Sequence, residues 1–297
     1  MPMAKTVSTD RMPNHTKIWI NFFLTAQKYC FFLTYTSFFG YFICIYAIFV
    51  VPLQSFLIKK GMTILCVETS TAVCSAALWS EGKLIQQYIN REGSNHARLL
   101  PLYMEQLMHD VRSAGLTIDA VALSEGPGSY TGLRIGTSTA KGLCYGLNVP
   151  LIPVPTLRVL CEAWRSKEQG AQSTELLCPM IDARRMEVYA AIFDSRQLNE
   201  KENPARAVVV ENEESLLSGE GIAADGERTV YYFGDGAAKC QNVLPNERWH
   251  YVPDIIPEAQ YVGKIAETMP QVTDIAYYEP FYLKEFIAAQ SHVKGLN

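Results

Sequence analysis

From residue 62 onward, apolar and polar positions fall in short blocks that read as strand, turn and returning strand. Ile64-Leu65-Cys66-Val67 is an apolar run that stops at Glu68, Thr69-Ser70-Thr71 supplies a polar turn, and Val73–Trp79 returns as a second apolar strand. Glu81-Gly82 predicts a tight hairpin into a third strand, Lys83–Tyr88. Over Ser94–Gly115 the period changes. Leu99, Leu100, Tyr103, Met104, Leu107, Met108 and Val111 recur at i, i+3 and i+4, which predicts an amphipathic helix. Pro101 falls in its first turns, where a missing N–H costs least. Ile118–Ser124 comes next as a buried strand.

The opening device recurs 114 residues later. Cys178-Pro179-Met180-Ile181 ends at Asp182, Ala183-Arg184-Arg185 makes the turn, and Glu187–Phe193 returns. A gapless shift of 114 lays Glu68 on Asp182, Ala76 on Ala190, Ala77 on Ala191, Leu78 on Ile192 and Trp79 on Phe193. Internal repetition of this kind sets architecture. Arg165–Thr174, charged and without apolar period, marks the expected boundary. It gives a first lobe at 62–165 and a second at 166–297 that includes a C-terminal segment. Two α/β lobes that each open on an acid-terminated hairpin resemble the two-lobe actin-like ATPase/sugar-kinase (ASKHA) fold. That resemblance implies a nucleotide cleft between duplicated lobes, flanked by the paired acids.

Between the two hairpins lies Ser124-Glu125-Gly126-Pro127-Gly128-Ser129-Tyr130-Thr131-Gly132-Leu133-Arg134-Ile135-Gly136, placed after a strand and opening a helix to about Leu147. Gly126 and Gly128 allow a tight turn that Pro127 stiffens, and Ser129 or Thr131 can cap the helix start. Such a segment serves as a strand-to-helix connection or, through its first N–H groups, as an anion site. Gly132, Gly136 and Ala140 recur every four residues, a small-residue stripe that admits a close neighbour.

Composition divides the chain unevenly. Residues 1–61 hold six Lys/Arg, one Asp and 14 aromatic residues, and the remaining 236 positions hold 20 Lys/Arg and 29 Asp/Glu, a net charge of −9. Positions 29–58 carry no charge and are long enough to span a bilayer, which needs about 20 apolar residues. They are expected to be either an untranslated leader ahead of a true start at Met62 or a membrane anchor. The first reading places the protein in the cytoplasm. An acidic body is a poor scaffold for holding RNA unaided, because phosphate neutralisation dominates such affinity. The eight cysteines include no C-x-x-C pair, consistent with a reducing compartment.

The segment GPGSYTGLRIG (126–136) resembles the signature shared by the TsaB (YeaZ) family and its catalytic paralogue TsaD. MTILCVETSTAVCSAALW (62–79), MIDARRMEVYAAIF (180–193) and EPFYLKE (279–285) resemble the corresponding blocks of TsaB. The paralogue carries an HxxxH-type metal pair after the glycine-rich helix, whereas here Pro150–Leu157 has no histidine. His15, His96, His109, His250 and His292 are scattered, so no metal site and no catalytic residue are expected. The resemblance implies a non-catalytic subunit for tRNA threonylcarbamoyladenosine formation. Its implied partners are a TsaD-like catalytic subunit and a TsaE-like ATPase, with tRNA met only through the complex and self-pairing as a homodimer when the partner is absent. The expected interface lies on helices 94–115 and 131–147 at Leu99, Tyr103, Leu107, Val111, Gly132 and Gly136, burial within the lobe being the other reading for the four apolar residues. A worn nucleotide cleft is expected at Glu68, Ser129, Thr131, Asp182, Arg185, Gly234 and Gly236, with weak nucleotide binding and no cofactor. A small-molecule kinase of the same fold and a membrane-tethered interaction protein are the alternatives.

Overall fold

The computed structural model describes residues 61–93, 95–167, 175–198, 204–217, 228–244 and 247–284. The membrane-length stretch 29–58 and most of the expected lobe boundary lie outside the described residues. Among the described residues, no helix is long and apolar enough to cross a membrane.

Strands β1 (Thr63–Glu68), β2 (Cys74–Ser80) and β3 (Lys83–Asn90) form the predicted antiparallel meander. Helix α1 (His96–Ser113) leads to β4 (Ala120–Gly126), α2 (Tyr130–Leu147), β5 (Leu151–Pro155) and α3 (Thr156–Lys167). The first sheet has the order β3-β2-β1-β4-β5, with β4 and β5 parallel to β1. The second sheet repeats this plan. Strands β6 (Leu176–Asp182), β7 (Glu187–Ala190), β8 (Phe193–Asp194), β9 (Arg206–Val209), β10 (Val230–Phe233) and β11 (Trp249–Val252) are arranged as β9-β7-β6-β10-β11, with β8 paired to β6 off this path. Here too the first three strands are antiparallel and the last two run parallel to the opening strand. A short helix α4 (Glu213–Leu217) comes after β9 as α1 comes after β3, and α5 (Ala259–Ala266) comes after β11. The duplicated two-lobe actin-like architecture is therefore present in topology.

The repeat is not gapless. In the first hairpin Leu65 and Val67 of β1, with Ala76 and Leu78 of β2, face the core shared with α1 and α2. In the second, Cys178 and Met180 of β6, with Ala190 and Ile192, face the core shared with α4. Matching faces and ladders thus requires a shift of 113 in the opening strand and 114 in the return, since Cys66 pairs with Ala77 and Met180 with Ala190. Ile181, not Asp182, is the structural counterpart of Glu68. The extra residue is absorbed in the second turn, because a one-residue slip would otherwise move every side chain to the opposite face.

Two further expectations are corrected. The C-terminal part of 166–297 does not stay with the second lobe. Helix α5 buries Ala259, Val262 and Ile265 against Ile64, Cys66 and Trp79 of the first sheet, and Val272 bridges to Leu151 of β5. The interface stripe also turns inward. Leu107 and Val111 are core residues beside Leu65 and Leu123, which is the burial the sequence also allowed, and Gly132 and Gly136 are buried on the inner face of α2. An apolar face as broad as that of α1 needs no second chain to cover its centre, because its own sheet does so, at about 1.5–3 kcal/mol for each fully buried leucine. Leu99 and Tyr103 stay half-buried at its margin, where Tyr103 stacks on Tyr88 with ring centroids 5.8 Å apart.

Glycines on α2 divide by what they face. A Cβ on Gly132 would meet the Thr69 carbonyl oxygen at 2.1 Å, whereas one on Gly142 would meet nothing within 4 Å. Gly132→Ala is expected to destabilise the fold by about 1–3 kcal/mol, the cost of overpacking against backbone. Gly142→Ala should stabilise it by about 0.5–1 kcal/mol through helix propensity. Urea titration of the two variants checks both signs.

Candidate functional site

The site lies where the first turn of the chain meets the glycine-rich segment. Helix α2 starts hard against the β1–β2 turn. Cβ atoms on Gly128 and Gly136 would fall 2.3 Å from the Ser70 carbonyl oxygen and 2.3 Å from Thr69 Oγ1. Hydrogen bonds fasten the contact: Ser129 N–H donates to the Ser70 carbonyl (2.7 Å) and Thr69 Oγ1 donates to the Gly132 carbonyl (2.8 Å). Ser129 Oγ caps the helix by accepting from Gly132 N (3.3 Å). His96, buried at the start of α1, donates from Nε2 to the Thr71 carbonyl (2.8 Å) and closes the turn from the other side. Direct backbone packing therefore uses the glycines that could have left room for an anion.

Glu68 ends β1 beneath this turn and is fully buried. Its Oε1 accepts from Ser70 N (2.6 Å) and Ser70 Oγ (2.5 Å), while Oε2 is buried without a hydrogen-bond partner. Ser124, at the end of β4, stands nearby with its hydroxyl bonded to Thr156 Oγ1 (2.9 Å), which also accepts from Gly126 N (3.2 Å). Burial pushes the Glu68 carboxyl up from its ordinary 4.5, with the charge of Asp235 adding to the rise and the hydroxyls of Ser124 and Ser70 opposing it.

Asp235 comes from the turn after β10 and brings the second lobe to the same place. Its Oδ1 accepts from Asp182 N (3.0 Å). Gly234, at φ +104°, and Gly236 make the approach possible, since Cβ atoms there would lie 2.2 Å from the Met180 carbonyl oxygen and 2.8 Å from the Ile181 carbonyl carbon. Burial raises the Asp235 carboxyl, the nearby Asp182 raises it further, and Lys239 opposes the rise. Lys239 ion-pairs with Asp182 and donates to the Glu187 carbonyl (2.7 Å). Asp182 and Asp235 thus share this wall with Lys239, above the buried Glu68.

Of the residues predicted for the cleft, Glu68 and Ser129 lie in this floor, and Asp182, Gly234 and Gly236 form its second-lobe wall. Thr131 is exposed on α2 and takes no part in the capping bond that Ser129 makes. Arg185 is also exposed. With Arg184 it occupies the left-handed region, φ +49° and +72°, at the tip of the β6–β7 turn, a cost of roughly 1–2 kcal/mol for each side chain. Sequence reading missed Asp235, Lys239 and the Ser124–Thr156 pair. The two glycines around Asp235 were a usable signal, whereas Lys239 and Thr156 join the site only through chain folding. The EPFYLKE block was noticed without a role. Its Phe281 N–H donates to the Glu125 carbonyl (2.8 Å), and Lys284 ion-pairs with Glu187 of β7, so it straps the glycine-rich segment to the second lobe. Among the described residues no group of three or more His, Cys, Asp or Glu is arranged to hold a metal ion.

A carboxyl that holds its proton more tightly when folded contributes most stability below its unfolded pKa and loses that contribution as pH rises through the folded value. Glu68→Gln should therefore melt higher than the parent near about pH 7.5, with the gap closing as pH falls toward the ordinary value of 4.5. Melting curves across pH test this. A gap independent of pH would mean that the buried carboxyl titrates normally.

Comparison with known proteins fits this geometry. The family profile described as TsaD, tRNA N6-adenosine threonylcarbamoyltransferase, matches residues 85–284. The tRNA threonylcarbamoyladenosine biosynthesis protein TsaB of Bacillus subtilis is 28% identical over 78% of this chain and 91% of its own length. TsaB of Escherichia coli is 36% identical over 54% of this chain and 70% of its own. YeaZ from Pseudomonas aeruginosa superposes with a TM-score of 0.57 at 25% identity, covering 75% of this chain and 100% of its own. A second Pseudomonas aeruginosa crystal structure, described as similar to the peptidase YeaZ, gives a TM-score of 0.59 with the same coverage and identity. The TsaD profile spans most of both lobes, and the Bacillus subtilis TsaB matches at nearly full length; the chain belongs to the TsaB (YeaZ) family, a branch of the TsaD-like group.

Proposed function

We propose that this chain is a non-catalytic subunit that docks onto a TsaD-type threonylcarbamoyltransferase and supports formation of threonylcarbamoyladenosine in tRNA. The observation that carries the reading is the outward side of α1 and α2. Leu102 is 50% exposed and Tyr145 is 89% exposed, beside half-buried Leu99, Tyr103 and Ile135 and the open Gly142 and Gly146. Apolar side chains at that exposure, on two neighbouring helices, favour a helical partner surface. In this reading the interface expected from the sequence keeps Leu99 and Tyr103 and gains Leu102, Ile135 and Tyr145, while Leu107, Val111, Gly132 and Gly136 support it from within.

The same face pairs with a second copy when the transferase is absent, and a TsaE-type ATPase joins the assembled pair. tRNA is engaged in the complex, in the cytoplasm; if 29–58 is an anchor, the assembly is tethered to a membrane. No nucleotide is held as a tight cofactor. The reading rests on the packed glycine-rich turn and the surplus of carboxyls beneath it.

The purified full chain is expected to transfer no threonylcarbamoyl by itself and to accelerate a cognate TsaD-type enzyme. Tyr145→Glu, which places an unpaired charge in the docking face, should weaken co-elution and stimulation roughly tenfold or more, an effect of about 1.4 kcal/mol or greater, without lowering the melting temperature. Full transferase activity of the isolated chain would overturn the assignment, and micromolar binding of Mg²⁺–ATP with turnover would favour a small-molecule kinase instead.

A further inference from the structure

The tip of the second hairpin carries two long cations in a conformation that suits neither. Arg184 and Arg185 hold positive φ in successive positions of a three-residue loop closed by Ala183 N–H to the Glu187 carbonyl (3.1 Å). Glycine or asparagine would occupy such positions with less strain. Both arginines are exposed, and neither side chain makes a hydrogen bond or ion pair within the described residues. Contacts among the described residues do not account for two arginines at these positions.

Their surroundings identify a class of partner. Of the acids around the tip, Asp182 is paired with Lys239 and Glu187 with Lys284, while exposed Glu211 lies one step beyond Val210, whose N–H donates to the Met186 carbonyl (2.9 Å). Tyr189 lies within electrostatic reach of both Arg184 and Lys284. From Lys284 the strap leads back to Tyr282, whose ring sits 5.0 Å from that of Tyr130 at the start of α2. Arg134 lies over the Tyr130 ring at 5.5 Å and within electrostatic reach of Tyr282. Through the Lys284–Glu187 pair the strap joins the tip, where Arg184 is near Tyr189, to the Tyr130–Tyr282 pair with Arg134, and this edge also carries Glu125 and Glu279 beside the strap tyrosines and Glu211 beside the tip. The guanidinium groups of Arg184 and Arg185, set on one edge with aromatic rings, suit phosphates linked to stackable bases better than an acidic protein surface.

We propose that this edge is an RNA contact, in which Arg184 and Arg185 engage phosphates while the Tyr130–Tyr282 pair offers a stacking surface. The proposal rests on the reading of the chain as a subunit of a tRNA-modifying assembly, and it gives an acidic protein one local place to touch the substrate. The probe is fluorescent tRNA titrated, over a range of salt, onto the full chain assembled with a TsaD-type subunit. Arg184→Asn combined with Arg185→Gly should raise the melting temperature of the chain by roughly 2–4 °C, because it relieves the strained turn. It should leave co-elution with the TsaD-type subunit intact. Binding of tRNA should weaken roughly tenfold or more near about 100 mM salt, and the slope of log affinity against log salt should fall by about 1.5. Unchanged affinity and slope overturn the proposal. Lost co-elution overturns it as well, by making the turn a protein contact. If the parent chain does not co-elute, the subunit reading falls separately, and the same titration on the chain alone at low salt decides the RNA contact: a difference between parent and variant sustains it, and no difference ends it.

Discussion

Backbone-to-backbone contact between the first turn of the chain and the first turns of α2 is the constraint on which the rest depends. Carbonyl oxygens of Thr69 and Ser70 lie where side chains on Gly132 and Gly128 would be, and no rotamer change can relieve a clash between main-chain atoms. Because α2 is pressed so close, β4 and β1 are fixed in parallel register, and the α1 face meets a sheet without a gap. The same contact leaves no room for side chains at Gly128, Gly132 and Gly136.

Beneath the turn the consequence is electrostatic. Glu68 is driven fully inside, and the second lobe arrives with Asp235 and Asp182 on a turn whose glycines allow equally close approach. Desolvation raises two of these carboxyls, and the single lysine at hand is already divided between Asp182 and the Glu187 carbonyl. The hydrogen bonds of this floor stay within each lobe, Glu68 with Ser70 and Asp235 with Asp182. The proposed docking face and RNA contact lie away from this floor, on the exposed side of α1 and α2 and at the hairpin tip beside the strap.

Much of the architecture was legible in order. The glycine-rich segment opens a helix that ends at Leu147, as its sequence predicts to within a residue or so, and the acid-ended hairpin does recur. The candidate site was less legible. Glu68 and Ser129 lie together at the first turn, and Gly234 and Gly236 line the opposing wall, but Thr131 and Arg185 point elsewhere on the surface. Leu107 and Val111 could not be told from interface residues, because an amphipathic period reports that a face is apolar and not what covers it. A gapless repeat also concealed the inserted residue in the second turn, which shows only when strand faces and ladders are compared.

The sequence by itself determined the opening meander, the amphipathic helix after it, the strand and helix around the glycine-rich segment, that the opening device occurs twice (though its predicted return Glu187–Phe193 is split into β7 and β8), and which family the glycine-rich signature and three companion blocks resemble. These are properties of neighbouring residues, set by side-chain period, turn chemistry and composition. Only the tertiary structure decided that α5 returns to the first sheet, that Asp235 and Lys239 join Glu68 and Asp182, and that the glycine stripe faces inward. Each of these depends on contacts between residues far apart in the chain, such as Gly132 with Thr69 or Asp235 with Asp182. Local pattern carries no record of such contacts, because the free energy that selects them arises when whole faces meet.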